Sequence, residues 1–323
     1  MANRTSSAAT PPISAASART PRILRRHPGW WALWLLSSLP LGVLHTLASG
    51  LAWLLYGVMR YRRRVVEANL RASFPEKSDA ERRRIARAFY RNLADTLVET
   101  LKLLTISPAE LARRVTVESA APMLALLAEG RTVLALGSHY ANWEWILPGA
   151  TVRLPTARIE GVYRPLASPF GEALVTHLRT RLGGRLIRMQ DVGRDVVRQR
   201  DTPRALSMVA DQTPPGGEIQ FYTRFLNQDT PFFVGPDKLA ASFRLPVFFL
   251  SQRRVRRGHY VYRLQLHYDG ATPLPVPPKH PTDDPALHPI TAAYARFLET
   301  EIRAAPADYL WSHKRWKNAR PGK

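Results

Sequence analysis

The chain has 323 residues, of which 45% are hydrophobic and eight are tryptophans, so it can bury a sizeable core and is not a disordered protein. The absence of cysteine excludes disulfide bonds, thiolate zinc sites and a cysteine nucleophile, and it favours a reducing compartment. The net charge of +22 predicts an anionic partner: nucleic acid, an anionic membrane surface, an acidic protein or a phosphorylated substrate.

The N-terminal part of the chain is predicted to be a disordered tail followed by a membrane anchor. Residues 1–21 are rich in Ala, Ser, Thr and Pro and show no periodicity. Residues 22–60 include a run of 33 residues, between Arg26 and Arg60, without any Asp, Glu, Lys or Arg. A run of this length is sufficient to cross a bilayer.

Two membrane arrangements fit this anchor. Arginines flank the apolar run on both sides, so the positive-inside rule favours neither orientation. Pro40 and Gly42 lie inside the run, where they can split a helix. The segment is therefore either one transmembrane helix that tethers a soluble domain, or helices that lie in the membrane interface.

Residues 61–112 are predicted to form two amphipathic helices, separated at Pro75. The second helix begins at a capping sequence, Ser78 to Glu81. Its apolar residues recur every three or four positions, which predicts one stripe packed in the core: Ile85, Phe89, Leu93, Leu97, Leu101 and Leu104.

Residues 113–323 are predicted to form the catalytic α/β domain. Six apolar runs have the character of strands: RTVLALGS, ARIEGVY, GGRLIRM, RALSMVADQ, LPVFFLSQ and YVYRLQLHY. The segments that separate or follow these runs fit helices at 120–129, 143–150, 168–182, 191–200, 236–243 and 289–304. This alternation favours a mixed, largely parallel sheet flanked by helices.

Several catalytic motifs are missing from the sequence. It contains no Gly-x-Ser-x-Gly nucleophile elbow, no dinucleotide-binding glycine fingerprint and no P-loop. Four residues near the C-terminus have the residue types of a metal site, but their proline-rich surroundings are typical of an exposed loop: His280, Asp283, Asp284 and His288. We therefore predict no metal site.

The stretch VLALGSHYANWEW, residues 133–145, carries the candidate chemistry. An apolar strand ends at Ser138, and Asn142 is placed to cap a following helix. His139 then lies at the carboxyl end of a strand, where the active sites of α/β sheets are found. A histidine held by the carboxylate of Glu144 is suited to deprotonating a hydroxyl, although a hydrogen-bonded structural histidine fits the same pattern.

The order of sequence blocks resembles the late acyltransferases of lipid A biosynthesis in Gram-negative bacteria, which belong to the lysophospholipid (glycerolipid) acyltransferase superfamily. The resemblance covers nearly everything after residue 30. An apolar N-terminal segment and a helical block from Arg64 to Glu99 precede the His-x4-Glu motif. The blocks that follow are similar to the family's Tyr-Arg-Pro, Asp-Gln, Phe-Phe-Gly and Trp-x-His runs, here VYRPLASP, ADQTP, FLNQDTPFFVGP and the C-terminal DYLWSHKRWK.

The resemblance implies a fold like that of the glycerolipid acyltransferases and transfer of an acyl chain from an acyl carrier protein thioester to a hydroxyl of a lipid A-type glycolipid. It implies no cofactor. His139 is then the general base and Glu144 its partner. The other matched positions are implied to bind substrate: Arg164, Asp211, Gln212, Asn142 and Gly235. Where a member of the family has Asp-Gln-Asp, this chain has Thr213 in third place, which leaves another lysolipid or a specialised lipid open as the acceptor.

The charge agrees with this interpretation, since acyl carrier protein, the inner leaflet and lipid A precursors are all anionic. We expect an enzyme of the bacterial inner membrane with its catalytic domain facing the cytoplasm. The mixed aromatic and basic run from Trp311 to Lys317 fits either a bilayer or phosphate site or a solvated tail. A membrane-tethered nucleic-acid-binding protein is the remote alternative, because no nucleic-acid-binding motif accompanies the arginines.

Overall fold

The computed structural model describes residues 20–219 and 221–320. The predicted tail, residues 1–21, therefore lies almost wholly outside the described residues. The helices that follow it and the central sheet share one continuous hydrophobic core, in which Leu44 of the apolar segment and Leu134 of the sheet are both fully buried.

The apolar N-terminal segment is divided into separate helices. Proline at position 40 has no backbone N–H and the residue before it is extended, so one helix ends at Ser38 and the next begins at Leu41. The segment comprises α1 Arg22–Arg26, α2 Gly29–Ser38, α3 Leu41–Trp53 and a π-helical turn Leu54–Val58. Within the described chain, only Leu41–Val58 is long and apolar enough to cross a bilayer, and 33% of it is buried inside the protein.

Two longer helices connect this segment to the sheet, α4 Arg63–Ser73 and α5 Asp79–Lys102. The predicted capping box is present at the start of α5: the Ser78 hydroxyl accepts the Glu81 N–H, and the Ser78 N–H donates to the Glu81 carboxylate at 2.8 Å. Helix α5 packs along α3 on one side and against the catalytic domain on the other, so it joins the N-terminal helices to the sheet.

A seven-stranded sheet forms the centre of the catalytic domain, with the strand order β1-β9-β8-β2-β5-β3-β4. All neighbouring strands are parallel except β8 and β9, which form an antiparallel hairpin. Its strands are β1 Val115–Glu118, β2 Val133–Gly137, β3 Ile159–Tyr163, β4 Arg185–Arg188, β5 Ala205–Val209, β8 Val247–Arg256 and β9 His259–Tyr268. The predicted mixed, largely parallel sheet is confirmed.

Helices flank this sheet as predicted. Short helices connect the parallel strands, because a parallel pair cannot be joined by a tight turn. The helices around the sheet are α6 Pro108–Arg114, α7 Ala121–Ala128, α8 Ile146–Arg153, α9 Pro169–Thr180, α10 Val192–Arg198, α11 Gly235–Phe243 and α12 Pro289–Ala304, of which α6 precedes the first strand and α12 follows the last.

Sequence reasoning missed strand β1 and a separate hairpin, β6 Phe221–Phe225 and β7 Gln228–Phe232. The hairpin turn places Leu226 and Asn227 at positive φ, 49° and 65°. Two consecutive positive φ angles are typical of the tight turns that join twisted antiparallel strands, and asparagine tolerates them well. The motif block FLNQDTPFFVGP is therefore the turn and second strand of this hairpin.

Candidate active site

The two strands β2 and β5 are parallel neighbours with Gly137 opposite Val209. The residues two positions beyond these, His139 and Asp211, therefore leave the sheet at the same edge. His139 Nδ1 lies 2.8 Å from Asp211 Oδ1, and the backbone N–H of His139 donates to Oδ2 at 3.1 Å. The side chain of Asp211 is only 2% exposed, so both hydrogen bonds form out of solvent.

The Asp211 carboxylate is kept ionised by its surroundings. Burial raises its pKa, but the charge and hydrogen bonds of His139, together with the nearby guanidinium of Arg315, outweigh this effect and leave the pKa below its usual range. Arg315 is itself buried, donates to the Pro231 carbonyl at 2.8 Å and lies 4.4 Å from the centroid of the Phe232 ring. The buried guanidinium of Arg315 thus lies near the Asp211 carboxylate that binds His139 and stabilises its negative charge.

The ionised carboxylate determines which nitrogen of His139 carries the lone pair. An acceptor at Nδ1 places the proton there, so the lone pair of the neutral ring is on Nε2. The side-chain amide nitrogen of Gln212 lies 3.1 Å from Nε2, as a donor to that lone pair would. The ring also packs against Trp143, with centroids 5.5 Å apart. His139 is therefore oriented to accept a proton at Nε2.

Glu144 is not the partner of His139, which corrects the sequence prediction. Its carboxylate binds the guanidinium of Arg179, on α9, through two hydrogen bonds of 2.8 and 2.9 Å. The chain turns sharply at Ala141, where φ is 50°, and residues 143–145 form a 3-10 turn that directs Glu144 toward α9. Asp211 holds the imidazole instead, because the adjacency of β2 and β5 brings it there.

A cavity of about 550 Å3 lies at this edge of the sheet and contains both His139 and Glu144 in its wall. Polar side chains are contributed also by Arg164, Arg179 and Gln212. The rest of the wall includes apolar side chains from α8, the strands, α9 and the turn after β4, namely Ile146, Leu147, Val162, Val175, Leu186, Met189 and Val209. A volume of this size accommodates a small-molecule or chain-like ligand.

The other predicted substrate-binding residues divide into two groups. Arg164 and Gln212 line the cavity, and the exposed guanidinium of Arg164 forms no ion pair with any described residue. Asn142 is fully buried: it caps the 3-10 turn by accepting the Trp145 N–H at 3.1 Å and donates to Glu99 at 2.7 Å. Asn142 therefore does not line the cavity, because its polar atoms are used inside the protein.

Asp211 and Gly235 also act through neighbours. Asp211 is too deeply buried to line the cavity and reaches it only through His139. Gly235 begins α11, and a Cβ there would lie 2.1 Å from the ring of Phe233, which is part of the cavity wall. Glycine at this position lets the Phe233 ring lie close to the start of the helix. Its predicted substrate contact is replaced by a role in shaping the wall.

The C-terminal run packs behind the site and is not a solvated tail. Trp311 and Arg315 are buried, and the Leu310 N–H donates to the His139 carbonyl at 3.1 Å. Burial lowers the pKa of His313 to about 4, so its ring is neutral at pH 7, with Nε2 3.4 Å from the Thr213 N–H. This run and Arg179 were not predicted as parts of the site; their tertiary contacts, not local motifs, bring them to it.

A histidine oriented by a buried carboxylate, beside a mainly apolar cavity at the carboxyl edge of a parallel sheet, is an arrangement suited to enzymes that activate a hydroxyl next to an apolar substrate. Residues 13–318 match the family of bacterial lipid A biosynthesis acyltransferases. The chain belongs to this family and is an acyltransferase.

Similar proteins agree with the family assignment. The chain is 25% identical over 319 residues to the lipid A biosynthesis lauroyltransferase of Escherichia coli K12, which covers 92% of this chain and 94% of the relative. It is 26% identical over 307 residues to the lipid A biosynthesis palmitoleoyltransferase of the same strain, with 90% and 92% covered. A lipid A biosynthesis acyltransferase of Shigella flexneri shows the same identity and coverage.

We predict that Asp211→Asn lowers kcat by about 10³- to 10⁴-fold while the fold is retained. The amide has nearly the same shape as the carboxylate, but it neither fixes the Nδ1–H tautomer nor stabilises the imidazolium. The measurement is kcat together with the melting temperature. Asp237→Asn is the matched control, because Asp237 is a buried carboxylate that binds the start of α12 and does not line the cavity. Equal kcat losses in both variants would contradict the role of Asp211.

Proposed function

We propose that this acyltransferase moves a fatty acyl chain from an acyl carrier protein thioester to a hydroxyl of a lipid A-type glycolipid precursor. The observation that carries the proposal is the His139–Asp211 pair, whose Nε2 side lies at a cavity lined largely by apolar residues. The family supports a lipid A-type acceptor, and the relatives are named as lauroyl- and palmitoleoyltransferases of lipid A biosynthesis.

In the proposed mechanism, His139 Nε2 removes the proton from the acceptor hydroxyl as its oxygen attacks the thioester carbonyl carbon. A tetrahedral intermediate forms, the carbon–sulfur bond breaks, and the departing thiolate takes the proton from the imidazolium. Asp211 stabilises that imidazolium throughout. The acyl group passes directly to the acceptor, so no acyl-enzyme is needed, in agreement with a sequence that has no cysteine and no nucleophile elbow.

The arginines at the cavity supply positive charge for the anionic reactants. Arg164 is available to bind an acceptor phosphate or to stabilise the oxyanion of the intermediate. Glu144 belongs to the proposed site through Arg179: their two hydrogen bonds attach α9, which forms one wall of the cavity, to the turn that follows His139. Gln212 is placed to contact the acceptor, since it adjoins Nε2.

The apolar part of the cavity is proposed to hold the acyl chain. Gly161 of β3 is closely packed in the wall of this cavity, because a Cβ there would be 3.0 Å from Leu147 and 3.1 Å from Leu186. Side chains at this position therefore compete with the ligand for space. The chain length that the enzyme accepts depends on how far this space extends.

The N-terminal helices are proposed to bind the bacterial inner membrane from the cytoplasmic side. One face of α2, α3 and the π-helical turn exposes large apolar side chains, including Trp31 at 62%, Leu47 at 49% and Trp53 at 69%. Basic residues Arg25 and Arg64 lie exposed beyond the two ends of this apolar segment. Apolar side chains with flanking arginines are suited to an anionic bilayer surface.

Polar contacts of the opposite face favour an interfacial arrangement over a free transmembrane helix. The buried ammonium of Lys102 donates to the carbonyls of Ser37 and Leu39, both at 2.9 Å, and His45 of α3 binds the buried carboxylate of Glu99 at 2.8 Å. These contacts attach α2 and α3 to the catalytic domain. A helix that crossed the bilayer on its own would lose them, at the cost of leaving buried charge unpaired.

The reaction is tested with purified protein, acyl carrier protein thioesters and a panel of acceptors that contains a lipid A precursor, lysophospholipids and other lysolipids. We expect transfer to the lipid A precursor, detected by mass spectrometry of the product. His139→Ala removes the base and is expected to abolish transfer, and Glu144→Ala is expected to lower it strongly, while both variants fold and bind membranes.

Two outcomes would contradict the proposal. Near-wild-type turnover by His139→Ala would exclude the base mechanism. Efficient acylation of another lysolipid, with no product from the lipid A precursor, would contradict the lipid A-type acceptor and support the alternative acceptor.

We predict that Gly161→Val shifts the donor preference toward shorter acyl chains. The added side chain fills space between Leu147 and Leu186, and kcat/KM for the longest chain used by the wild type falls by about tenfold or more. The measurement is kcat/KM across a series of thioesters. Gly193→Val is the control, because a Cβ at Gly193 meets open space on α10. An equal loss for all chain lengths would argue against acyl binding at this position.

The membrane arrangement is tested by cysteine labelling, since the natural chain has no cysteine. We predict that single variants Arg25→Cys and Arg64→Cys, at exposed positions beyond the two ends of the apolar segment, are both labelled by an impermeant maleimide in inverted membrane vesicles and not in right-side-out vesicles. Both ends then lie on the cytoplasmic side. Labelling of the two positions from opposite sides would establish a transmembrane helix, and recovery of the protein in the soluble fraction would contradict membrane binding.

A further inference from the structure

Glu99 is a fully buried carboxylate in the middle of α5, and the proposed mechanism does not use it. Its Oε2 accepts hydrogen bonds from the side-chain amide of Asn142 at 2.7 Å and from the Tyr260 hydroxyl at 2.6 Å. Its Oε1 lies 2.8 Å from His45 Nε2. A buried carboxylate is costly unless it is fully hydrogen-bonded, and these three contacts satisfy it.

Two of the groups held by Glu99 belong to the turn that begins at His139. Asn142 contacts the carboxylate and caps the following 3-10 turn, while the indole N–H of Trp145 donates to the backbone carbonyl of Glu99 at 2.9 Å. The carbonyl of Asn142 also accepts the Tyr262 hydroxyl at 2.7 Å. A single residue of α5 therefore contacts both ends of the segment from 142 to 145, which follows His139 in the chain and contains Glu144, the partner of Arg179.

His45, the third side chain that contacts the Glu99 carboxylate, connects this turn to the N-terminal helices. His45 lies on α3, within the stretch that presents the apolar face, and its contact with Glu99 is buried. One carboxylate therefore supports both the packing of α3 against α5 and the orientation of the turn after His139. Displacement of α3 removes one of the three hydrogen bonds that fix the carboxylate opposite Asn142.

We infer that Glu99 is a positioning residue for acyl transfer, which holds the turn after His139 in its reactive geometry and couples that geometry to the seating of the apolar helix α3. This inference rests on the proposed function of His139. Glu99 acts through Asn142 and Trp145 and does not itself contact substrate.

The matched control for Glu99 lies one turn earlier on the same helix. Asp95 is also a buried carboxylate of α5, and it binds Arg254 and Arg257. Arg257 in turn donates to the His45 carbonyl of α3. Asp95 therefore shares the helix, the burial and the connection to α3, but its described hydrogen bonds do not include the turn after His139.

The experiment compares Glu99→Gln with Asp95→Asn in the full-length chain, with KM, kcat and melting temperature measured for each. Glu99→Gln is expected to lower kcat by about 10²-fold with KM unchanged, because a small displacement of catalytic groups has an effect of this size. Asp95→Asn is expected to lower the melting temperature comparably while kcat stays within about twofold of wild type. Equal kcat losses in the two variants, or an unaffected kcat in Glu99→Gln, would overturn the inference.

Two further variants test the contact itself. Tyr260→Phe removes one hydroxyl donor to Glu99 and leaves the ring packing, so a folded protein with a smaller loss of kcat is expected even if Glu99→Gln does not fold. In the exchange Glu99→Gln/Asn142→Asp, an amide at position 99 again faces a carboxylate at position 142, and part of the lost kcat is expected to return. No effect of Tyr260→Phe, or no recovery in the exchange, contradicts the inference.

Wild type and His139→Ala are assayed beside these variants, so that a failure of the proposed function can be distinguished from a failure of the role assigned to Glu99. A wild-type protein without acyl transfer contradicts the proposed function. An active wild type and inactive His139→Ala, with full kcat in Glu99→Gln, contradict only the role of Glu99.

Discussion

The parallel pairing of β2 with β5 is the constraint on which the chemistry of this protein depends. Because Gly137 lies opposite Val209, the residues two positions further along each strand leave the sheet side by side. One is His139, the proposed base, and the other is Asp211, the carboxylate that orients it. A shift of this pairing by one residue would move one side chain away from the other, so the hydrophobic packing of two buried strands determines a hydrogen bond at their ends.

Two acid–base pairs of different character lie around the resulting cavity. Asp211 is sealed from solvent, is kept ionised by His139 and Arg315, and acts on a single imidazole. The Glu144–Arg179 pair lies in the cavity wall and connects a helix to the catalytic turn. In the proposed mechanism, the first pair provides the proton acceptor. The second, in the proposed mechanism, determines the shape of the cavity in which the reactants meet.

The N-terminal helices are part of the same folded unit as the sheet. Polar groups of α5 bind both of them: Lys102 reaches the end of α2, and Glu99 reaches α3. The apolar residues on the other face of these helices remain exposed. In the proposed function the acceptor is a membrane glycolipid, and these exposed apolar residues lie on helices that α5 connects to the turn after His139.

Local sequence determined the features that depend on neighbours along the chain. The capping box of α5, the break at Pro40, the strand that ends before His139 and the α/β alternation all follow from spacing and residue type, so they were predictable, and so was the family from the order of its motifs. Two contacts could not be predicted in this way: the hydrogen bond of His139 with Asp211, where Glu144 was expected, and the buried hydrogen bond between Asn142 and Glu99. Those contacts join residues 43 to 72 positions apart, and only the packing of strands and helices decides which distant side chains become neighbours.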